Sequence, residues 1–365
     1  MIKGKIMIKR VLAAAAALTL LAGCSAAVVK NEITPPVKPI SSVKPDIEQV
    51  ADAVHESDWY YEMCISLMEY KFDFTVSERV GNRDLKKAME QLRTDFPDIF
   101  WRGNSYHATS TTDGSKISIS KPDFIDDEGD LPAMHEELYN ATCDVIKKIP
   151  EGSSDYEKAL FVYDYIMENT VYDHEGAKSE KRSMCHTSYG CLVEGKAVCE
   201  GYAAAFTYIM QMLNIESGVC TGSNHAWNYI NLDGEYYWLD ATWDDNDRDN
   251  SFGHTYFLIN DEMLLRTRSF DLQQGFVPEC TSLELNYYVQ NGGFFESYDE
   301  KKVIDYISEC SDEESCTLIF ADFESYESAL YSLLGDYKVR KADGIVLADM
   351  QYRRNDDMYA VEIVY

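Results

Sequence analysis

The central part of the chain is patterned as two amphipathic helices followed by a third, more apolar one. The segments "AMHEELYNATCDVIKKI" and "DYEKALFVYDYIMENT" repeat apolar residues at helical spacing, which predicts helices over residues 133–149 and 155–169. The intervening "PEGSSD" supplies a break and a cap. Farther along, the alanine-rich "EGYAAAFTYIMQML" predicts a helix over residues 200–213.

The segment "HAWNYINLDGEYYWLDATW" has the pattern of a β-hairpin. Its Asp233-Gly234 pair is a strong signal for a two-residue turn between strands. With that turn, Trp227 faces Asp240 across the hairpin. Because residues two apart on one strand share a face of the sheet, His225 and Asp240 are predicted to form a diagonal pair, near enough for imidazole and carboxylate to meet.

Both flanks are patterned as separate α/β modules around a central domain at residues 131–275. The N-terminal module, residues 46–130, is predicted to contain a helix in "NRDLKKAMEQLRTDF", capped by Asn82, and a strand in "KISIS". The C-terminal module, residues 280–365, alternates predicted strands with the predicted helices "DEKKVIDYISEC" and "SYESALYSLL". Its predicted strands are "SLELNYYVQ", "SCTLIFA", "DGIVLADM" and "MYAVEIVY".

The first residues have the composition of an export signal and a tether. Basic residues precede an apolar run at 11–21 that is too short to span a bilayer comfortably and fits a signal peptide. The run ends in "LAGC", which resembles a bacterial lipobox and implies cleavage of residues 1–23 and lipidation of Cys24. Residues 24–45, with four prolines, are predicted to form an extended tether. The expected location is therefore the cell membrane, facing outside the cytoplasm.

Composition and charge narrow the classes of binding partner expected for the protein. The chain has 365 residues, 45% of them hydrophobic, which predicts a folded protein of two or three modules. Its formal charge of -30 argues against nucleic acid and anionic lipid surfaces as partners. A protein or peptide substrate is expected instead, with membrane attachment only through the lipid on Cys24.

Cys199 has four candidate roles: buried packing, half of a disulfide, a metal ligand or a nucleophile. It precedes the 200–213 helix, and free amide N–H groups at a helix N-terminus favour a thiolate. His225 and Asp240 supply an imidazole and its orienting carboxylate, so a Cys/His/Asp triad is a candidate. From the residues alone, an inert cysteine and a structural histidine stay open.

The run from Ser188 to Asp245 resembles the transglutaminase-like domain of bacterial surface proteins. The matching pieces are "GKAVCEGYA", "NHAWNYINLDG" and "YYWLDATWDD", which keep the order Cys, His, Asp. The resemblance implies a papain-like α+β fold, in which the helix bearing the cysteine packs on an antiparallel sheet bearing the histidine and aspartate. It covers neither flanking module.

The resemblance also implies roles and a reaction. Cys199 is implied as nucleophile, His225 as general base and then acid, and Asp240 as orienting carboxylate. A cysteinyl thioester formed from a peptide or glutamine amide would then react with water, as in a cysteine protease or amidase, or with an amine, as in a transglutaminase. We expect no cofactor. The alternative is a non-catalytic surface binding protein that uses the same scaffold.

Other chemistry-bearing residues are expected to have structural roles. His174, Cys185, His186 and Cys191 lack a zinc-ligand spacing, so no metal is expected. The acidic run "DDNDRDN" does not fit a calcium loop. Bridges between Cys310 and Cys316 and between Cys185 and Cys191 are open alternatives, as is lining of a substrate cleft by tryptophans. For the oxyanion, the Cys199 backbone N–H is one natural donor, and Tyr189 and His186 are candidates for the second.

Overall fold

The computed structural model describes residues 33–245, 253–311, 313, 315–346 and 350–364. The predicted signal peptide, Cys24 and most of the acidic run after Asp244 lie outside these residues. Residues 33–45 of the predicted tether have no regular secondary structure and run along later parts of the chain. The Lys44 ammonium forms an ion pair with Asp261 at 3.2 Å. Among the described helices, none is long and apolar enough to cross a membrane.

The N-terminal part packs three helices against a three-stranded antiparallel sheet. Its elements in chain order are β1 (Glu48–Gln49), α1 (Ala51–His55), α2 (Asp58–Met68), β2 (Asp73–Val76), α3 (Asn82–Asp95), β3 (Tyr106–Thr111) and β4 (Gly114–Ile119). The strand order is β2-β4-β3. The predicted helix and strand are confirmed, but Gly81, not Asn82, is the N-cap. Asn82 Oδ1 instead accepts a hydrogen bond from the Ala108 N–H at 2.8 Å, which ties α3 to β3.

The central part contains the predicted helices and hairpin. Its elements are α4 (Leu131–Ile146), α5 (Asp155–Asn169), β5 (Val171–Tyr172), α6 (His174–Lys178), α7 (Ser188–Leu192), β6 (Lys196–Ala197), α8 (Cys199–Met212), β7 (Ser217–Gly222), β8 (His225–Leu232), β9 (Glu235–Leu239), α9 (Ala241–Asp244), β10 (Phe257–Ile259), α10 (Asp261–Leu264) and β11 (Gln273–Gln274). At the start of α5, Ser154 and Glu157 form a capping box, which explains why the helix begins where the "PEGSSD" break predicts.

Helix α8 packs on a four-stranded antiparallel sheet in the order β10-β9-β8-β7. The two-residue turn pairs Leu232 with Glu235 and Tyr229 with Trp238, so the predicted hairpin register is confirmed. On the face toward α8, the buried Asn228 side chain donates to the Ala203 carbonyl at 2.9 Å, fastening the helix to β8. A cysteine-bearing helix on an antiparallel sheet is the predicted α+β architecture, and this fold class is confirmed.

The C-terminal part places a second four-stranded sheet behind the first. Its elements are α11 (Tyr287–Gln290), β12 (Phe294–Phe295), α12 (Glu300–Glu309), β13 (Ser315–Phe320), α13 (Phe323–Ala329), a π-helical continuation (Leu330–Gly335), β14 (Gln351–Asn355) and β15 (Ala360–Val364). The strand order is β12-β13-β15-β14, with β12 parallel to β13 and the other pairs antiparallel. Ile319 and Ala360 of this sheet share a buried cluster with Trp227 and Trp238 of the central hairpin.

Several expectations for this part are wrong. The segment "SLELNYYVQ" forms no strand but ends in helix α11, because the buried Asn286 caps it by accepting bonds from the Tyr288 and Val289 N–H groups. The described residues of "DGIVLADM" form no strand, and β14 starts later, at Gln351. All nine described cysteines are free, so neither candidate disulfide is formed.

The parts share core residues across the predicted boundaries. Tyr189 and Tyr208 of the central part lie in the N-terminal core beside Trp101. Strand β1 pairs in parallel with β11, which joins the N-terminal part to residues 273–274. The domain limits drawn from the sequence therefore stay predictions, although the three sets of elements follow one another in the expected order.

Candidate active site

Cys199 is the first residue of α8, directly after the extended Val198. The first backbone N–H groups of a helix have no partner within the helix, so they face the space around the thiol and favour negative charge there. Cys199 is partly exposed, whereas every residue from Gly201 to Met210 is buried. The helix is thus buried along its middle, while its cysteine-bearing end is partly exposed.

His225 and Asp240 meet as the hairpin register predicts. His225 begins β8, and Asp240 follows β9 and caps the short helix α9. The ring Nε2 lies 2.7 Å from Asp240 Oδ2; Asp240 is only 1% exposed, whereas the His225 side chain is 13% exposed. Cys199 lines the same cleft as His225, and its side chain is one of the groups that raise the pKa of the imidazole. Since Nε2 is engaged by Asp240, Nδ1 is the ring nitrogen left for the thiol.

Arg268 is a further partner of Asp240 that the sequence analysis missed. Its guanidinium is 2% exposed, contacts Asp240 Oδ2 and lies 3.8 Å from the centre of the Trp243 ring. Asp240 Oδ1 accepts the Trp243 N–H at 3.2 Å, so both carboxylate oxygens are held by donors. No motif in "RTRSFD" marks this arginine, because its role arises from a contact between residues 28 positions apart.

These charges set the protonation of the pair. Burial disfavours a charged imidazole, but the Asp240 carboxylate and the Cys199 contact outweigh it and raise the pKa of His225. Burial would likewise raise the pKa of Asp240, but His225 and Arg268 hold it well below its ordinary value. An ionised Asp240 beside a more basic His225 supports an imidazolium at this position.

A cleft of about 750 Å³ runs past the thiol. Cys199, His225 and His186 line it from the central part, while Lys86 and Arg93 line it from α3. The N-terminal part therefore forms one wall of the cleft. Trp227, Trp238 and Trp243 are not among its lining residues, and Trp227 and Trp238 are fully buried in the core.

An ion-pair network holds the start of α8. The Glu200 carboxylate lies 2.5 Å from Arg182 and 3.5 Å from Arg102 of the N-terminal part. Burial alone would raise the pKa of Glu200. The nearby guanidinium groups together have the larger effect, so the pKa of Glu200 lies below its ordinary value. Because Arg182 also donates to the His186 carbonyl at 3.1 Å, the network links the start of α8 to the segment before it.

The two candidates for a second oxyanion donor lie in different places. The Tyr189 hydroxyl donates to Glu137 at 2.6 Å, and Tyr189 is buried away from the cleft lining. His186 lies in the cleft wall with Cys199. Of the residues considered for zinc, Cys185 and His186 are in contact at 3.4 Å, but within the described ranges no group of three or more His, Cys, Asp or Glu side chains is arranged to hold a metal ion.

Gly201 allows the first turn of α8 to approach the preceding segment. A Cβ at this position would lie 2.6 Å from the Cys185 carbonyl oxygen and 3.0 Å from that of Thr187. Backbone oxygens cannot move aside as a flexible side chain does, so α8 and residues 185–187 must shift to admit a methyl group. Gly201 is therefore a packing requirement of the site.

We expect Gly201→Ala to destabilise the protein by about 1–3 kcal/mol, as overpacking does. Helix propensity alone has the opposite sign, since alanine is favoured over glycine by about 1 kcal/mol within a helix. Urea unfolding followed by circular dichroism measures the difference. A variant as stable as the wild type or more stable would show that this close approach is not constrained.

Part of the chain is similar to known proteins. Residues 145–247 match the family model of the transglutaminase-like superfamily. The kyphoscoliosis peptidase of Mus musculus is 26% identical over 129 residues, which are 31% of this chain and 19% of that protein. The chain thus spans about a fifth of the length of this curated relative.

Two solved structures match parts of this chain at low similarity. A TGase is 14% identical with a TM-score of 0.27, covering 47% of this chain and 50% of its own. A putative cysteine protease from Cytophaga hutchinsonii is 16% identical with a TM-score of 0.24, covering 38% of this chain and 61% of its own. The matched range 145–247 contains Cys199, His225 and Asp240. The family match, with the helix-on-sheet fold, supports a transglutaminase-like domain in the central part of this chain.

Proposed function

We propose that this protein is a thiol-dependent enzyme that cleaves or transfers acyl groups of peptide or glutamine amides through a thioester on Cys199. The observation that carries the proposal is the His225–Asp240 pair, joined at 2.7 Å, with Cys199 and His225 lining the same open cleft. The family match supports a thiol-dependent enzyme in general terms. The choice of amide substrates is part of the proposal.

In the first half-reaction the Cys199 thiolate attacks the carbonyl carbon and the C=O π electrons move to oxygen. As the tetrahedral intermediate collapses, the C–N bond breaks and the leaving nitrogen takes a proton from His225 Nδ1. Asp240 stays ionised and holds the ring through Nε2. A thioester on Cys199 and a neutral His225 remain.

In the second half-reaction His225 removes a proton from the incoming nucleophile. Water then releases a carboxylic acid, whereas an amine forms a new amide, and in both cases the Cys199–acyl bond breaks and the thiolate returns. We favour hydrolysis because no feature of the sequence marks an amine site. Adding a primary amine during turnover separates the two outcomes, since transfer would incorporate it into the product.

Alkylation by iodoacetamide tests the activated pair. We expect Cys199 to react at about pH 6 at least about tenfold faster than Cys143 and Cys310, which are also partly exposed. An ordinary thiol is only about 0.3% ionised at this pH, whereas the raised pKa of His225 supports a thiolate–imidazolium pair. Peptide mapping by mass spectrometry, on protein that begins after Cys24, gives the three rates.

The matched variants are His225→Ala and His135→Ala. His135 also pairs with a carboxylate, Asp98 at 3.1 Å, but stands outside the cleft lining. We expect only His225→Ala to slow the labelling of Cys199. If Cys199 in the wild type reacts no faster than the two comparison cysteines, the enzyme proposal fails and a binding scaffold becomes the better account.

We further propose that the exported protein is anchored through lipid on Cys24, on the strength of the "LAGC" sequence after the apolar run. Bacteria expressing the full chain and fed an alkyne-bearing fatty acid should label the wild type and not Cys24→Ala. Equal labelling of both forms would contradict this proposal without bearing on the chemistry at Cys199.

A further inference from the structure

The proposed reaction places negative charge on a carbonyl oxygen, and one donor to that oxygen is already in place. The Cys199 backbone N–H is the first of α8 and has no partner within the helix. Acyl transfer enzymes hold the oxyanion with two or more donors fixed before the reaction. A second donor to the oxyanion is therefore expected in the cleft wall beside Cys199.

His186 is held against the start of α8. It ends a 3-10 turn, Met184–His186, and its neighbours on both sides contact the first turn of the helix. The Val198 N–H donates to the Cys185 carbonyl at 2.9 Å, and Gly201 packs between the carbonyls of Cys185 and Thr187. His186 also lines the cleft together with Cys199, so a rigid support holds this histidine in the cleft wall that contains the thiol.

The surroundings of the ring fix its tautomer. The Ser183 N–H donates to His186 Nδ1 at 3.2 Å and forms half of a capping box. The Ser183 hydroxyl and the Cys185 thiol, which can also donate, lie 3.5 and 3.4 Å from Nδ1. The Ser183 carbonyl, at 3.3 Å, is the single acceptor in this set. Three donors against one acceptor favour a lone pair on Nδ1, which leaves the proton on Nε2.

The ring is also kept neutral. Burial is the largest influence and lowers the pKa of His186; the Arg182 guanidinium lowers it as well, and Glu200 opposes them. A neutral ring with Nε2–H is a donor that does not compete with His225 for the thiol proton. Such a group can stabilise an oxyanion by hydrogen bonding and takes no part in proton transfer.

We propose that His186 supplies the second oxyanion donor, its Nε2–H acting together with the Cys199 backbone N–H on the carbonyl oxygen of the bound acyl group. This rests on the proposed function. During attack the C=O π pair moves to oxygen, where both donors hold it, and it returns when the tetrahedral intermediate collapses. His186 keeps its proton throughout.

Two variants of His186 separate the roles of its two ring nitrogens. A glutamine amide can place its NH₂ near the former Nε2, so His186→Gln retains a donor to the cleft. An asparagine oxygen can accept the Ser183 N–H, as Nδ1 does, but its short side chain leaves the cleft without a donor. The pair therefore separates a donor role from a role in holding the 183–187 turn.

Two reactions of Cys199 separate oxyanion stabilisation from thiol activation. Acylation by p-nitrophenyl acetate passes through a tetrahedral oxyanion, whereas alkylation by iodoacetamide forms none. We expect His186→Asn to slow acylation about 10²–10³-fold, the usual cost of one oxyanion donor, and to leave alkylation within about twofold. His186→Gln should recover most of the acylation rate. Thermal melting of both variants reports on folding.

The possible results distinguish failure of the His186 proposal from failure of the proposed function. Unchanged acylation in folded His186→Asn overturns the proposal. Equal losses of acylation and alkylation in both variants also overturn it, because they indicate a purely structural role. If wild-type Cys199 is neither selectively alkylated nor acylated, the proposed function itself fails. Results on the His186 variants alone test only the role of His186 and leave the proposed function standing.

Discussion

Asp240→Asn is expected to slow acylation of Cys199 by p-nitrophenyl acetate by about 10³–10⁴-fold, as loss of the orienting carboxylate does in other triads. Oδ2 accepts from His225 and contacts Arg268, while Oδ1 accepts the Trp243 N–H. Either orientation of an asparagine amide sets its NH₂ group against at least one of these donors. The ring of His225 then loses its fixed tautomer and its counter-charge.

The pH dependence of the same variant has a definite sign. Asp240 raises the pKa of His225 against the effect of burial, so its removal lowers that pKa and weakens the imidazolium. Alkylation of Cys199 by iodoacetamide should therefore begin at higher pH in Asp240→Asn than in the wild type. Rates measured across pH by mass spectrometry give the shift.

Asp98→Asn is the matched control, because it breaks another His–carboxylate pair, with His135, away from the cleft lining. It should leave both Cys199 reactions near the wild-type rates. An Asp240→Asn protein that is folded and acylates as fast as Asp98→Asn would show that Asp240 does not orient the catalytic ring.

Arg268→Met is expected to destabilise the protein by about 3–5 kcal/mol, the usual effect of removing one partner of a buried ion pair. Arg268 and Asp240 are both almost fully buried, so no water replaces the lost contact. The guanidinium also stacks on Trp243, a contact that a lysine ammonium cannot reproduce in the same planar form. Arg268→Lys should therefore recover only part of the loss, as measured by urea unfolding.

Arg266→Met is the control for this effect, since Arg266 is also buried but pairs with the exposed Glu262 and stacks on Tyr359. It should lower stability without altering the reactivity of Cys199. Arg268 lowers the pKa of His225, so its removal should raise that pKa, opposite to the effect of Asp240→Asn. A double-mutant cycle with Asp240→Asn should show coupling of about 1–3 kcal/mol, and strict additivity would contradict the ion pair.

The contact between His225 and Asp240 could be predicted from the sequence because it depends on local geometry. A two-residue turn at Asp233-Gly234 sets the register, and the period of two in a strand then decides which side chains share a face. Helix α8 was predictable for a similar reason, since its apolar spacing and its small residues are both local. The position of Cys199 at its start followed from these.

Other features depend on contacts between distant residues and had no local signal. Arg268 reaches Asp240 from a loop after α10, and α3 of the N-terminal part supplies Lys86 and Arg93 to the cleft wall. In "SLELNYYVQ" the β-forming tyrosines and valine predicted a strand, but capping by Asn286 and packing of Tyr288 produce a helix. A local cap that the sequence analysis did not identify and the burial of Tyr288 together overrode the β preference there.

The central claim is that Cys199 forms an acyl thioester with the help of His225. The most direct measurement is to mix the protein with p-nitrophenyl acetate, quench in acid within the first turnover and locate the acetyl group by peptide mass spectrometry. We expect one acetyl group on Cys199 in the wild type and in His135→Ala, and little in His225→Ala at the same time point. Two results would contradict the central claim. One is equal acetylation of Cys143, Cys199 and Cys310, and the other is acetylation of Cys199 that is unchanged in His225→Ala.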